Sequence, residues 1–138
     1  MIFNYEFKNK DPHMAAPLTL AYIGDAIWEI YVRSRTIEER PDMPVNKLNR
    51  TVVGFVKAHG QCVALDGIME SLTEDEQYAF KRGRNANSHT VAKNASLADY
   101  RHATGFEALL GYVYMSNDAE RLNELMEKAY NSVINAAK

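Results

Sequence analysis

The chain has 138 residues, 46% of them hydrophobic, which is the size of one domain with apolar material for a single core, so one domain over 1–138 is expected. No run approaches the length of a membrane span and the start, MIFNYEFKNKDPH, carries acids without a long apolar stretch, so neither a transmembrane segment nor a secretory leader is expected and the compartment reads as cytoplasmic. A single cysteine, Cys62, excludes an internal disulfide and, with no Cys or His cluster around it, argues against zinc.

In chain order, Pro17 suits the first position of a helix, and the apolar pattern from 18 to about 35, with arginines late, predicts one. Pro41 and Pro44 bracket a connection. From 45 to about 71 the apolar positions Leu48, Val52, Val53, Val56, Val63, Leu65 and Ile68 predict two consecutive helices interrupted around Gly54 and Gly60. Thr73 followed by Glu76 is a capping-box pattern, which predicts a helix from about 74 to 82 that stops near Gly83. Residues 83–95, GRNANSHTVAKNA, are polar and lack periodicity, and read as the one long loop. Ser96 suits the cap of a helix to about 115, and Ser116 or Asn117 the cap of a last helix from about 118 to 133. No stretch alternates as a strand does, so the fold class is all-α.

Two acids stand out against this background. Asp25 sits in LAYIGDAIW (20–28) and Glu107 in TGFEALLGYVY (104–114). An unpaired buried charge is costly, so acids in such stretches pair, neutralise or bind a metal, and both are candidates for a functional site. The plainer alternatives are an arginine partner for Asp25, and a helix N-terminal or solvated role for Glu107. Glu29, one turn after Asp25, reads as a solvated or salt-bridged helix acid that could assist a metal.

The net charge of −2 conceals an uneven distribution. Residues 1–80 carry 8 basic and 12 acidic side chains, residues 81–101 carry 5 and 1, and residues 102–138 carry 3 and 5. Only the middle segment is basic. The histidines 13, 59, 89 and 102 form no metal-ligand spacing, with His89 in the loop and His102 near Glu107, and no arrangement for covalent catalysis is visible. Trp28 and Tyr31 read as core or interface.

In order and spacing, GDA at 24–26, KRGRNA at 81–86, Tyr100 and Arg101, and ATGFEALLGY at 103–112 resemble the catalytic domain of the ribonuclease III family, over about residues 15–135. The short bacterial members, which lack a separate double-stranded RNA-binding domain, are the most similar. This resemblance implies a homodimeric, all-α endonuclease that hydrolyses double-stranded RNA with Mg²⁺ and matures large-subunit (23S) ribosomal RNA. It implies Asp25 and Glu107 as catalytic residues and metal ligands. Lys81, Arg82, Arg84, Asn85, Lys93 and Arg101, with the polar loop residues Asn87, Ser88 and Asn94, become candidates for RNA contact, and the face near Tyr22 for the dimer seam. The larger family members carry further acids four residues before the GDA aspartate and three before the FEA glutamate. Here those positions are Ala21 and Thr104, the feature that favours the alternative of an RNA-binding relative without turnover.

Overall fold

The computed structural model of the chain describes residues 5–8, 11–86 and 96–138, and among these every regular element is helical. Helix α1 (Pro17–Glu39) starts on its proline, as read from the sequence, and runs one turn beyond the arginines that were expected to end it. Its buried residues Leu20, Gly24, Ile27, Trp28, Val32 and Thr36 recur every three or four positions and so form one face.

Helices α2 (Val45–Val56) and α3 (Ala58–Asp66) are separated by Lys57 alone, whose extended backbone interrupts the helical path. The interruption expected around Gly54 and Gly60 thus falls between them. Both glycines lie inside helices, and Gly60 serves a close approach, since a Cβ on it would stand 2.1 Å from the Gly54 carbonyl oxygen. A short 3-10 turn (Met69–Ser71) leads to α4 (Glu74–Asn85), which opens on the expected capping box between Thr73 and Glu76. This helix passes through Gly83 and continues to Asn85. Gly83 is a packing residue and not a stop signal, because a Cβ there would come within 2.5 Å of Ala108 Cβ.

Helix α5 (Leu97–Met115) is capped by the Ser96 hydroxyl, which accepts from the Asp99 amide. The cap of α6 (Ala119–Ala136) is Asp118, in place of the expected Ser116 or Asn117. Ser116 donates back to the Tyr112 carbonyl, and Asn117 takes the left-handed φ of 61° that turns the chain, so the next side chain meets the helix start.

Helix α5 is the centre of the fold. It packs against α1, α4, α3 and α6, and buries residues on all sides, as a helix apolar around its circumference must. Phe106 meets Trp28 edge-on at 5.1 Å between ring centroids, and Phe55 stacks on Tyr130 at 4.5 Å. Each fully buried side chain of this size contributes about 1.5–3 kcal/mol of transfer free energy. Glu76 also closes a buried ion pair, taking Arg121 Nε at 2.8 Å and Nη2 at 2.7 Å, which ties α4 to α6. Burial opposes its ionisation, but Arg121 and the Thr73 amide outweigh that and hold its carboxyl below the usual range. Among the described residues no helix is long and apolar enough to cross a membrane.

Candidate active site

The site forms where α1 crosses α5, and two glycines make the crossing close. A Cβ on Gly24 would stand 1.8 Å from the Glu107 carbonyl oxygen, and one on Gly111 would stand 1.9 Å from that of Leu20. The two helix backbones are therefore in direct contact, which only glycine allows. The residue following Gly24 is Asp25, so the contact that requires glycine also delivers the aspartate to the turn of α5 that bears Glu107.

Asp25 is exposed, whereas Glu107 is half-buried. Their carboxyl groups lie against one another. The Glu107 carboxyl is pushed up to about 8, first by burial, then by hydrogen bonding to Asp25 and by the charge of Asp25, with the Gln61 amide working in the opposite direction. No basic side chain pairs with either acid among the described residues, so the arginine partner allowed by the sequence is not found there. The acids are each other's neighbours. Two carboxylates held this way cannot both ionise without cost unless a cation or a proton is shared between them.

Gln61 is the member of the site that sequence reasoning missed. It lies in the first turn of α3, 2% exposed, and its Nε2 donates to Glu107 Oε2 at 3.3 Å and to the Val56 carbonyl at 2.9 Å. Its Oε1 is buried without a partner. A signal was present, because Gln61 shares the three-and-four spacing of Ala64, Leu65 and Ile68 and so occupies a core position of its helix.

The two positions at which larger relatives carry acids are spoken for. Ala21 is buried in a small apolar cluster with Leu20, Ala108 and Met115, and the Thr104 hydroxyl, also buried, donates to the Tyr100 carbonyl at 3.0 Å. The donor set at the crossing is thus the two carboxylates, both hard oxygen donors, and no group of three or more His, Cys, Asp or Glu side chains that could hold a metal occurs among the described residues. Mg²⁺ is commonly held by one or two carboxylates with several waters, so this set fits it.

The basic segment reaches the same turn of α5. Gly83 packs against Thr104, Gly105 and Ala108, which brings the last turn of α4 beside Glu107. Lys81, Asn85 and Arg101 are exposed, and Arg84 lies over the Phe80 ring at 5.5 Å with its Nε on Asn85 Oδ1. Arg82 is different. Its guanidinium donates to the main-chain carbonyls of His13 at 3.1 Å and Ala15 at 3.0 Å, so it is engaged inward, fastening the segment before α1. Lys93, with Asn87, Ser88, His89 and Asn94, lies outside the described residues.

Glu29 pairs with Arg33 at 2.9 Å, as an ordinary helix acid does. His102 is exposed, with its Nδ1 on the Ala98 carbonyl. Trp28 is core, while Tyr22 is 82% exposed on α1. Burial, and then Asp99, push the Cys62 thiol up to about 11, which keeps it a neutral thiol and no nucleophile.

Comparison with known proteins bears on this geometry. The sequence model of the ribonuclease III domain matches residues 18–118. The chain is 48% identical over 126 residues to Mini-ribonuclease 3 of Clostridium tetani, covering 91% of this chain and 83% of that protein. It is 46% identical to Mini-ribonuclease 3 of Symbiobacterium thermophilum, covering 86% and 91%. Among solved structures, the X-ray structure of a Fusobacterium nucleatum protein superposes with a TM-score of 0.79 at 28% identity, over 94% of this chain and 100% of that one.

Proposed function

The chain belongs to the ribonuclease III family, and from that premise we propose that it is a homodimeric endoribonuclease that hydrolyses phosphodiester bonds of double-stranded RNA with Mg²⁺, in the maturation of large-subunit (23S) ribosomal RNA. The observation that carries this reading is the pair of carboxyl groups at the glycine-mediated crossing, facing one another without a basic partner among the described residues.

Asp25 and Glu107 would hold the Mg²⁺. A bound Mg²⁺ supplies an activated water, neutralises a phosphate oxygen and steadies the departing one. The chain's own contribution is the placement of its carboxylates. Glu107 must give up its proton for the pair to bind a cation, and its burial gives it a fixed position. Asp25, being exposed, faces the side from which a phosphate can enter. Lys81, Arg84, Asn85 and Arg101, with Lys93, provide charge and hydrogen-bond donors for phosphates and 2′-hydroxyls, the groups by which A-form RNA is read. Arg82 contributes by holding the N-terminal segment.

The exposed Tyr22 lies one turn after the exposed Leu18 and one turn before the exposed Ala26, a row on α1 that suits the seam between two copies. Two sites related by the dimer axis would each cut one strand. One observation favours a second reading, a relative that binds RNA without turnover: the further acids are replaced by the buried Ala21 and the hydrogen-bonded Thr104. Incubating the purified protein with long double-stranded RNA decides between them. The proposal predicts discrete products in Mg²⁺ and none in EDTA; RNA binding without product under both conditions would establish the second reading.

A further inference from the structure

Gln61 is the one polar side chain of the site that this chemistry leaves unused. Its two amide protons go to the Val56 carbonyl and to Glu107 Oε2. The bond to Val56 fixes which end of the amide is nitrogen, because a carbonyl can only accept, and a reversed amide would set two acceptors against each other. Oε1 is consequently committed to its position, buried and without a donor. An unsatisfied buried acceptor costs about 1–3 kcal/mol, and methionine or leucine would fill the same space without it. The bond to Val56 accounts for the amide nitrogen, but nothing in the packing accounts for the unpartnered oxygen.

We infer that Gln61 is a positioning residue for the acid pair: Nε2 orients the Glu107 carboxylate, and Oε1 accepts a hydrogen bond from a water on the cation held there. The inference rests on the reading of Asp25 and Glu107 as a cation site. Water bound to a cation offers only its protons, which suits an acceptor that lacks a donor. The oxygen and nitrogen of an amide are about 2.3 Å apart. With Nε2 already in contact with Glu107, Oε1 lies within one bridging water of that carboxylate. Residues that orient a metal ligand commonly cost about 10–100-fold in metal affinity when removed.

The rival role for Gln61 is a mechanical one, since its bond to Val56 helps close the junction between α2 and α3. Trp28 provides the comparison. Its Nε1 donates to the Phe55 carbonyl at 3.2 Å, fastening the same end of α2. The test is a titration of the metal-free protein with Mn²⁺, free ion being read by its paramagnetic resonance signal, on the wild type, Asp25→Asn, Gln61→Met and Trp28→Phe. Saturable binding by the wild type that is lost in Asp25→Asn supports the underlying reading; its absence overturns that reading whatever Gln61 does. Given such binding, the inference expects Gln61→Met to bind Mn²⁺ about tenfold more weakly or worse, and Trp28→Phe to bind as the wild type does. A smaller loss in Gln61→Met, or an equal loss in Trp28→Phe, overturns the inference and leaves the acid pair standing. Gln61→Leu is read by the same criteria if the methionine variant does not fold.

Discussion

Gly24 and Glu107 are in backbone contact: a Cβ on the glycine would lie 1.8 Å from the glutamate's carbonyl oxygen. The GDA triplet is therefore a device for approach as well as a source of a carboxylate. Gly24→Ala should force α1 and α5 apart and cost about 2–3 kcal/mol in urea unfolding, as overpacking does. It should also weaken any cation binding by the acid pair. Unchanged stability would show that the helices tolerate separation and that the glycine is not what sets the crossing.

The proton on Glu107 links the site to pH. Its carboxyl is raised to about 8 by burial and by Asp25, above the value of 4.5 that an unfolded chain would show. Between those values the folded metal-free protein holds a proton that the unfolded one has lost, so stability is full below pH 4.5 and falls as the pH rises toward 8. Glu107→Gln removes the titrating group. Without metal it should match the wild type below pH 4.5 and become progressively more stable than the wild type as the pH rises to 8. A difference in unfolding free energy that does not vary with pH would contradict this.

Arg82 and Arg84, two positions apart on α4, engage different partners. Arg84→Ala should weaken RNA binding and reduce the slope of log affinity against log salt by about 0.7–0.9, the loss of one phosphate contact. Arg82→Ala removes two hydrogen bonds to main-chain carbonyls, and should lower stability by about 1–3 kcal/mol while leaving the salt slope unchanged. Filter binding across a salt series in EDTA, with melting curves of both variants, checks the pair. A reversed pattern would place Arg82 on the RNA.

Tyr22 tests the dimer. An exposed aromatic residue that becomes buried at an interface is often worth about 2 kcal/mol, or roughly thirtyfold in dissociation constant. Tyr22→Glu should shift the chain toward monomer in sedimentation velocity at concentrations where the wild type is dimeric. An identical mass distribution for the two proteins would place the seam elsewhere.

The helical order was legible in the sequence because its signals are local. Pro17, the Thr73 and Glu76 pair and Ser96 each act within one turn, and each does so in the structure. The errors arose where a residue answers to a distant part of the chain. Gly83 looked like a stop because the glycine signal is local, whereas its reason lies in the packing of α4 on Ala108. The positive charge of Arg82 is visible in the sequence, whereas the carbonyls of His13 and Ala15 that its guanidinium reaches are not. Gln61 was passed over because glutamine is ordinary on helices, and its significance comes from a neighbour 46 positions away. The acid pair itself emerged from motif and spacing; that the two would face each other, one exposed and one half-buried, required the crossing.

Single-turnover cleavage of double-stranded RNA in Mg²⁺ by Asp25→Asn, Glu107→Gln and the double variant shows whether the two acids act as one unit. Groups that act as a unit are strongly non-additive, so each single variant should slow cleavage by on the order of a hundredfold or more, and the double variant should be little slower than the worse single. Independent losses that multiply in the double variant, or a single variant that cuts at the wild-type rate, would show that Asp25 and Glu107 do not form one catalytic unit.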